Sequence, residues 1–190
     1  MTTTPFVVGL DLSMTSTGVC RIDHDLVATV TREKSKGSRD DSLAARRARL
    51  RDLADRIVAH AVGADLVAVE GPSFASSGAG THDRSGLWWL VVDSLHGHGL
   101  PVLEVTPSQR MIYATGKGNA GKDEVLASVI RRYWGVTVAG NDEADALAIA
   151  ASAARLFGRP IEDSLPQTHL RALAKLTLPA GLTPLTAAAA

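Results

Sequence analysis

The sequence predicts an α/β protein in which a mixed β-sheet is flanked by helices. Three observations predict it. Three short β-branched-rich runs follow one another near the N-terminus, separated by turn residues. After them, helical periodicity and strand-like apolar runs alternate. A last long helical pattern then closes the order. Consecutive short strands call for antiparallel neighbours and strand–helix alternation calls for parallel ones, so one sheet must hold both directions.

Each element follows in order. Phe6 to Asp11, Gly18 to Ile22 and Leu26 to Val30 read as an antiparallel meander. From Ser42 to Ala61 the apolar positions Leu43, Leu50, Leu53, Ile57 and Ala61 recur at helical spacing. Arginines and aspartates fill the opposite face, as on a helix packed on one side. Leu66 to Glu70 is nearly all apolar and suits a strand buried on both faces. Gly71 to Gly86 is rich in Gly and Ser and reads as a loop, followed by a helix over Leu87 to His96. Val102 to Val105 is the next strand, and Pro107 suits the first turn of a helix that ends at Gly116. Lys122 to Tyr133 is helical, and Asn141 caps a last helix that runs to Phe157. Residues 1–158 are therefore expected to form one domain. Residues 159–190, Pro- and Ala-rich with a short helical pattern from Leu170 to Leu176, are expected to be a partly flexible appendage.

A chain of 190 residues buries one sizeable core. Its 45% hydrophobic and 21% charged residues are ordinary for a globular protein. No apolar run is long enough for a membrane span, and the N-terminus lacks the basic and cleavage regions of a secretory signal. Cys20 is the single cysteine, which excludes an intrachain disulfide and fits a reducing cytoplasm. Twenty basic and twenty acidic residues cancel. That balance counts against a uniformly basic nucleic-acid surface, though a local basic groove beside an acidic cluster gives the same total.

The chemistry lies in the acids. Asp11 ends the first strand, in VVGLDLS, and Glu70 ends the second buried one, in LVAVEGP. Asp142 and Asp145 open the last helix, in NDEADALAIA, three apart and on one face. Strands that end together would bring these carboxylates into one cluster. Such a cluster repels itself unless cations fill it, and oxygen-only ligands suit Mg²⁺ or Mn²⁺. Two such ions, ~3.5–4 Å apart, would activate water and stabilise the leaving oxygen of a phosphodiester. Taken alone, Asp142 is explained by the helix macrodipole. Asp145 is not, because it leads directly into the apolar run Ala146 to Ala150.

The segments VGLDLSMTSTGVCRI, VAVEGPSFAS, TPSQRMIYATGKGNAGKDEV and NDEADALAIA, in this order, resemble the RuvC-like Holliday junction resolvases, and most of all their shorter phage and actinobacterial-prophage forms. The resemblance covers Val7 to Phe157. It implies a ribonuclease-H-like fold and a homodimer that cuts four-way DNA junctions symmetrically with Mg²⁺ or Mn²⁺. Position by position, Asp11 would bridge two metal ions, Glu70 would hold one, and Asp145 with Asp142 would complete the other. Lys122 would stand near the scissile phosphate. Arg110 matches a further basic residue of the family and would contact DNA, and Phe74 matches an aromatic that probes the junction centre, one position later than in the usual pattern. The helix that carries Trp88 and Trp89 corresponds to one at the family's dimer interface.

Other signals are weaker. Gly116, Gly121 and Lys122 nearly spell a P-loop, but Asp123 stands where Ser or Thr should hold Mg²⁺ and a helix precedes the segment, which excludes nucleotide binding. The glycines either let the backbone approach a DNA phosphate, with Lys117 and Lys122 supplying charge, or form an ordinary connection. DLSMTSTG is similar to the phosphate hairpin of actin-like and sugar-kinase ATPases, yet those need two such domains. Ser13 and Thr15 are then expected near the metal site. His96 and His98 lack companions for a zinc site. The run Arg46, Arg47, Arg49 and Arg51 reads as a solvated helix face. His82 and Arg84, in the loop after Glu70, are expected to reach DNA. The alternatives are a nuclease acting on flaps, forks or single strands, and a junction-binding protein without catalysis.

Overall fold

Alternation along the strands decides which face of the sheet each side chain takes. The computed structural model describes residues 4–72 and 80–185. Phe74 lies outside the described residues. Strands β1 (Val7–Asp11), β2 (Ser16–Ile22) and β3 (Ala28–Lys34) form the antiparallel meander. Strands β4 (Leu66–Glu70) and β5 (Val102–Val105) add in parallel on the other side of β1. The five-stranded order is β3-β2-β1-β4-β5, the mixed sheet that the sequence predicts.

Helices cover both faces. Helix α1 (Leu43–Ala59) and helix α2 (Thr81–Gly97) pack Leu53, Ile57, Leu87, Val91 and Leu95 against Val8, Leu10, Val19, Val67 and Val69. On the opposite face lie α3 (Pro107–Thr115), α4 (Lys122–Arg132) and α5 (Asn141–Leu156). Their Tyr113, Val125, Val129, Leu147 and Ile149 cover Val7, Cys20, Ile22, Leu66 and Ala68. Counting on by twos from Val7 and Leu66, Asp11 and Glu70 fall on the face that α5 covers.

Helix α5 lies against the sheet with almost no side chain between. An added Cβ on Gly9 would meet the Ala146 carbonyl oxygen and the Ala150 nitrogen at 2.5 Å. One on Gly18 would meet the Asp142 carbonyl oxygen at 1.9 Å. These two glycines allow a close backbone approach that no other residue would permit.

Several boundaries differ from the sequence reading, and three of them have a clear physical reason. Strand β3 begins at Ala28 rather than Leu26, because Leu26 turns with φ +61°. There the Asp23 side chain accepts hydrogen bonds from the Asp25 and Val27 nitrogens at 3.0 and 2.9 Å. Helix α2 starts at Thr81, six residues before Leu87, entered through Gly80 at φ +98°. Its polar first turn hides the apolar period, and its Asp83 pairs with Arg46 of α1. Asn141 is the first residue of α5 rather than its cap, which falls on Gly140. Glu143 ties that helix start instead, accepting from the Ala139 nitrogen and pairing with Arg32 at 2.9 Å.

Beyond α5 the chain runs back over α3 and α4. The short helix α6 (Gln167–Leu170) leads into a 3₁₀ turn (Arg171–Lys175), and Ala172 and Leu176 are buried in the core. Glu162 accepts hydrogen bonds from the Tyr113 and Tyr133 hydroxyls and pairs with Arg155 at 3.1 Å. Burial and that carboxylate push both tyrosine hydroxyls well above their ordinary pKa, so they remain donors. Among the described residues no helix is long and apolar enough to cross a membrane.

Candidate active site

The sheet edge where β1 and β4 end is the site. Parallel register sets Leu10 beside Val69, so Asp11 and Glu70 emerge side by side. The first turn of α5, held against Gly18, delivers Asp142 and Asp145 to the same place. A cleft of about 440 Å³ opens there, walled by all four carboxylates together with Arg110 and Lys122. Arg84, Ser13 and Trp88 complete its rim.

Each cation arrives for a local reason. Thr106 and Gln109 form a reciprocal capping box at the start of α3, with Gln109 Oε1 accepting from the Thr106 nitrogen at 2.8 Å. That fixed first turn aims Arg110 inward. Its Nε donates to Glu70 Oε1 at 2.7 Å and its Nη1 to Asp145 Oδ1 at 2.6 Å. Lys122 is the first residue of α4, at the cleft. Trp88 of α2 donates its Nε1–H to the Glu70 carbonyl oxygen at 2.9 Å, tying that helix to the end of β4.

The electrostatics follow from crowding. Burial raises the Asp11 carboxyl well above the usual carboxylate range, and the charges of Glu70 and Asp145 raise it further, against Arg110. Burial likewise pushes Asp145 up to about 6, with Arg110 and Lys122 opposing and Glu70 and Asp142 adding to the rise. Both shifts favour the neutral acid, through burial first and the neighbouring carboxylates second.

The structure gathers Asp11, Glu70, Asp142, Asp145, Lys122, Arg110 and Arg84 around one cleft. His82 is exposed on the first turn of α2, and Lys117 pairs with Glu124 at 2.7 Å; neither lines the cleft. Ser13 does, held in a tight turn by Thr17, whose Oγ1 donates to the Ser13 carbonyl oxygen at 2.8 Å. Trp88, expected only on a helix at the family's dimer interface, also lines the cleft. The signal that sets it apart is an indole N–H in an apolar run, which needs an acceptor when it packs inward. A second hollow, about 350 Å³ between α1 and α2, is lined by leucines and arginines, and its one acid, Asp83, is already paired with Arg46. It offers no convergent reactive groups.

As ligands for a hard divalent cation, the four carboxylates fit in chemistry, since all their donors are oxygens. Among the described residues, however, no three His, Cys, Asp or Glu side chains converge as a ligand set. The Arg110 guanidinium lies between Glu70 and Asp145.

No family model matches the chain. Over 64 residues it is 47% identical to the crossover junction endodeoxyribonuclease RuvC of Anaeromyxobacter dehalogenans (strain 2CP-1 / ATCC BAA-258), covering 33% of this chain and 34% of that protein. Over 62 residues it is 44% identical to RuvC of Synechococcus sp. (strain WH7803), covering 32% and 40%. The match thus spans little more than a third of the length of these curated relatives. Among solved structures, Thermus thermophilus RuvC superposes with a TM-score of 0.62 at 23% identity, over 91% of this chain and 99% of that one. T. thermophilus RuvC in complex with Holliday junction substrate gives 0.59 at 24% identity, over 77% and 90%. The fowlpox virus Holliday junction resolvase gives 0.51 at 12%, over 79% and 98%. The chain is therefore related in sequence to RuvC crossover junction endodeoxyribonucleases over a third of its length, and it shares the fold of the solved RuvC structure over nearly all of it.

Proposed function

We propose that this protein is a divalent-metal-dependent endonuclease that resolves four-way DNA junctions. The observation that carries the proposal is the cleft itself: four carboxylates from β1, β4 and α5 line it together with Lys122. Asp11, Glu70, Asp142 and Asp145 would hold Mg²⁺ or Mn²⁺, two ions per site. When bound, such ions activate water for attack on phosphorus and neutralise the oxygen that leaves.

The chain's own residues do the rest. Asp11 and Asp145, whose burial disfavours bare charge, bind cations and so need not take up protons. Lys122 presents a point charge to the scissile phosphate. Arg84 on the rim, with His82 and Lys117 outside the cleft, would contact the backbone of the strands leading in; such contacts position the DNA and read no bases. Trp88 holds the end of β4 and so the place of Glu70. Trp89, on the same helix and 65% exposed, would pack against a second copy. A two-fold homodimer presents paired sites to a junction of matching symmetry, which is how two symmetric cuts arise. The working compartment would be the cytoplasm, consistent with a lone buried cysteine.

One observation favours a second reading, a junction-binding protein without catalysis: Arg110 already pairs with two of the carboxylates. A labelled four-way junction incubated with Mg²⁺ or Mn²⁺, beside duplex, flap and single-strand controls, separates these readings. Paired cuts in the junction alone support a resolvase. Cutting of every branched substrate leaves a broader structure-selective nuclease, and salt-sensitive binding without cutting supports the second reading.

A further inference from the structure

We propose that Arg110 is a built-in substitute cation, which holds Glu70 and Asp145 in the metal-free protein and must release them when a divalent ion enters. The inference rests on the reading of the carboxylate cluster as a metal site. It goes beyond that reading by assigning the metal a competitor within the chain.

The geometry points this way. Arg110 reaches Glu70 Oε1 and Asp145 Oδ1 at 2.7 and 2.6 Å, and its side chain is 11% exposed against 15% and 10% for its partners. These are charge-assisted contacts with little water to weaken them. A guanidinium and a small hard cation make different demands on the same oxygens. The guanidinium donates in a plane and keeps two carboxylates apart across its width, whereas Mg²⁺ draws oxygens in to about 2.1 Å with near-octahedral geometry. An oxygen accepting an Arg N–H at close range is poorly placed to do the second.

Leverage also favours release by the arginine. Arg110 stands on the capped first turn of α3, so its backbone is fixed while its long side chain faces an open cleft of about 440 Å³. Asp11 and Glu70 are set by the sheet and Asp145 by a helix pressed on Gly9 and Gly18. The flexible partner is the one that moves. Released, Arg110 stays in the same cleft as Lys122, where a phosphate can take the carboxylates' place as its planar, bidentate partner.

The test measures Mn²⁺ binding to the full chain without DNA, by calorimetry, for the wild type and Arg110→Gln. Thermal melting in EDTA runs alongside. The variant should bind Mn²⁺ at least about tenfold more tightly, because no internal cation has to leave. It should also melt lower in EDTA, with the gap narrowing as Mn²⁺ saturates. Equal or weaker Mn²⁺ binding by a folded variant overturns the proposal and leaves the metal site standing. No Mn²⁺ binding by either protein overturns both. Should Arg110→Gln not fold, the wild type still decides. The Arg110 Nε–H signal, shielded by Glu70, must lose its protection from solvent exchange as Mg²⁺ is titrated, and protection that persists at saturation overturns the proposal.

Discussion

Replacing Gly18 with alanine tests how the fold builds the site. The added Cβ would lie 1.9 Å from the Asp142 carbonyl oxygen, 2.5 Å from its carbon and 3.2 Å from the Ala146 Cβ. Two of these three atoms are backbone, so no side chain can swing aside. An ordinary contact requires the first turn of α5 to retreat from β2 by roughly 1.5 Å. Overpacking of this kind costs about 1–3 kcal/mol, and a backbone clash belongs at the upper end, about 3 kcal/mol. For a domain of this size that lowers Tm by roughly 6–12 °C. The same retreat carries Asp142 and Asp145 away from Asp11, and a misplacement of about 1 Å costs on the order of 100-fold in rate. Calorimetric melting of Gly18→Ala beside Gly135→Ala isolates the effect. A Cβ at Gly135 meets nothing within 4 Å, so that change should stay within about 0.5 kcal/mol. If both variants melt together, the close docking of α5 is not what places the acids.

Other expectations follow from the same contacts. Asp145 titrates near 6 when folded, against about 4 in an unfolded chain, so the folded protein binds the extra proton between those values. The metal-free protein should therefore become more stable as pH falls from about 7 toward 4, by about 3 kcal/mol from this residue. Glu33 and Asp83, whose pKa values are lowered by His60 and Arg46, work oppositely, but only below about pH 5. Urea unfolding in EDTA across this range checks the sign, and stability that rises with pH would refute it. Glu162→Gln weakens the anchor shared by Tyr113, Tyr133 and Arg155, leaves a guanidinium short of its counter-charge, and should cost about 3 kcal/mol by urea midpoint. Trp88→Phe keeps most of the apolar contact and removes the N–H to the Glu70 carbonyl. It should cost about 1 kcal/mol in stability and weaken Mn²⁺ binding measurably.

The acids were legible because strand period and apolar runs are local signals. LVAVE states a buried strand and VLEV a strand, and β4 and β5 have the bounds expected of them. An apolar run ended by a carboxylate marks a sheet edge, which is how Asp11 and Glu70 were found. What escaped depends on partners distant in sequence. Gly9 and Gly18 matter only because α5 docks on them, over a hundred positions later. Glu162 reads as one more acid until two tyrosine hydroxyls meet over it. Arg110 was visible as a cation near the site, and its expected role toward DNA says nothing of the two carboxylates it grips. Its orientation comes from the capping box and the sheet edge together, which no single segment displays.

The central claim is that these four carboxylates make a metal-dependent junction nuclease. The most direct measurement maps cuts on a labelled four-way junction for the wild type and Asp145→Asn, each with Mg²⁺ and with EDTA. The account predicts paired symmetric cuts, leaving 5′-phosphate and 3′-hydroxyl ends, by the wild type with Mg²⁺ alone. The variant should bind the junction and cut at least about 100-fold more slowly. Cutting that survives EDTA, or that proceeds undiminished in Asp145→Asn, would contradict it.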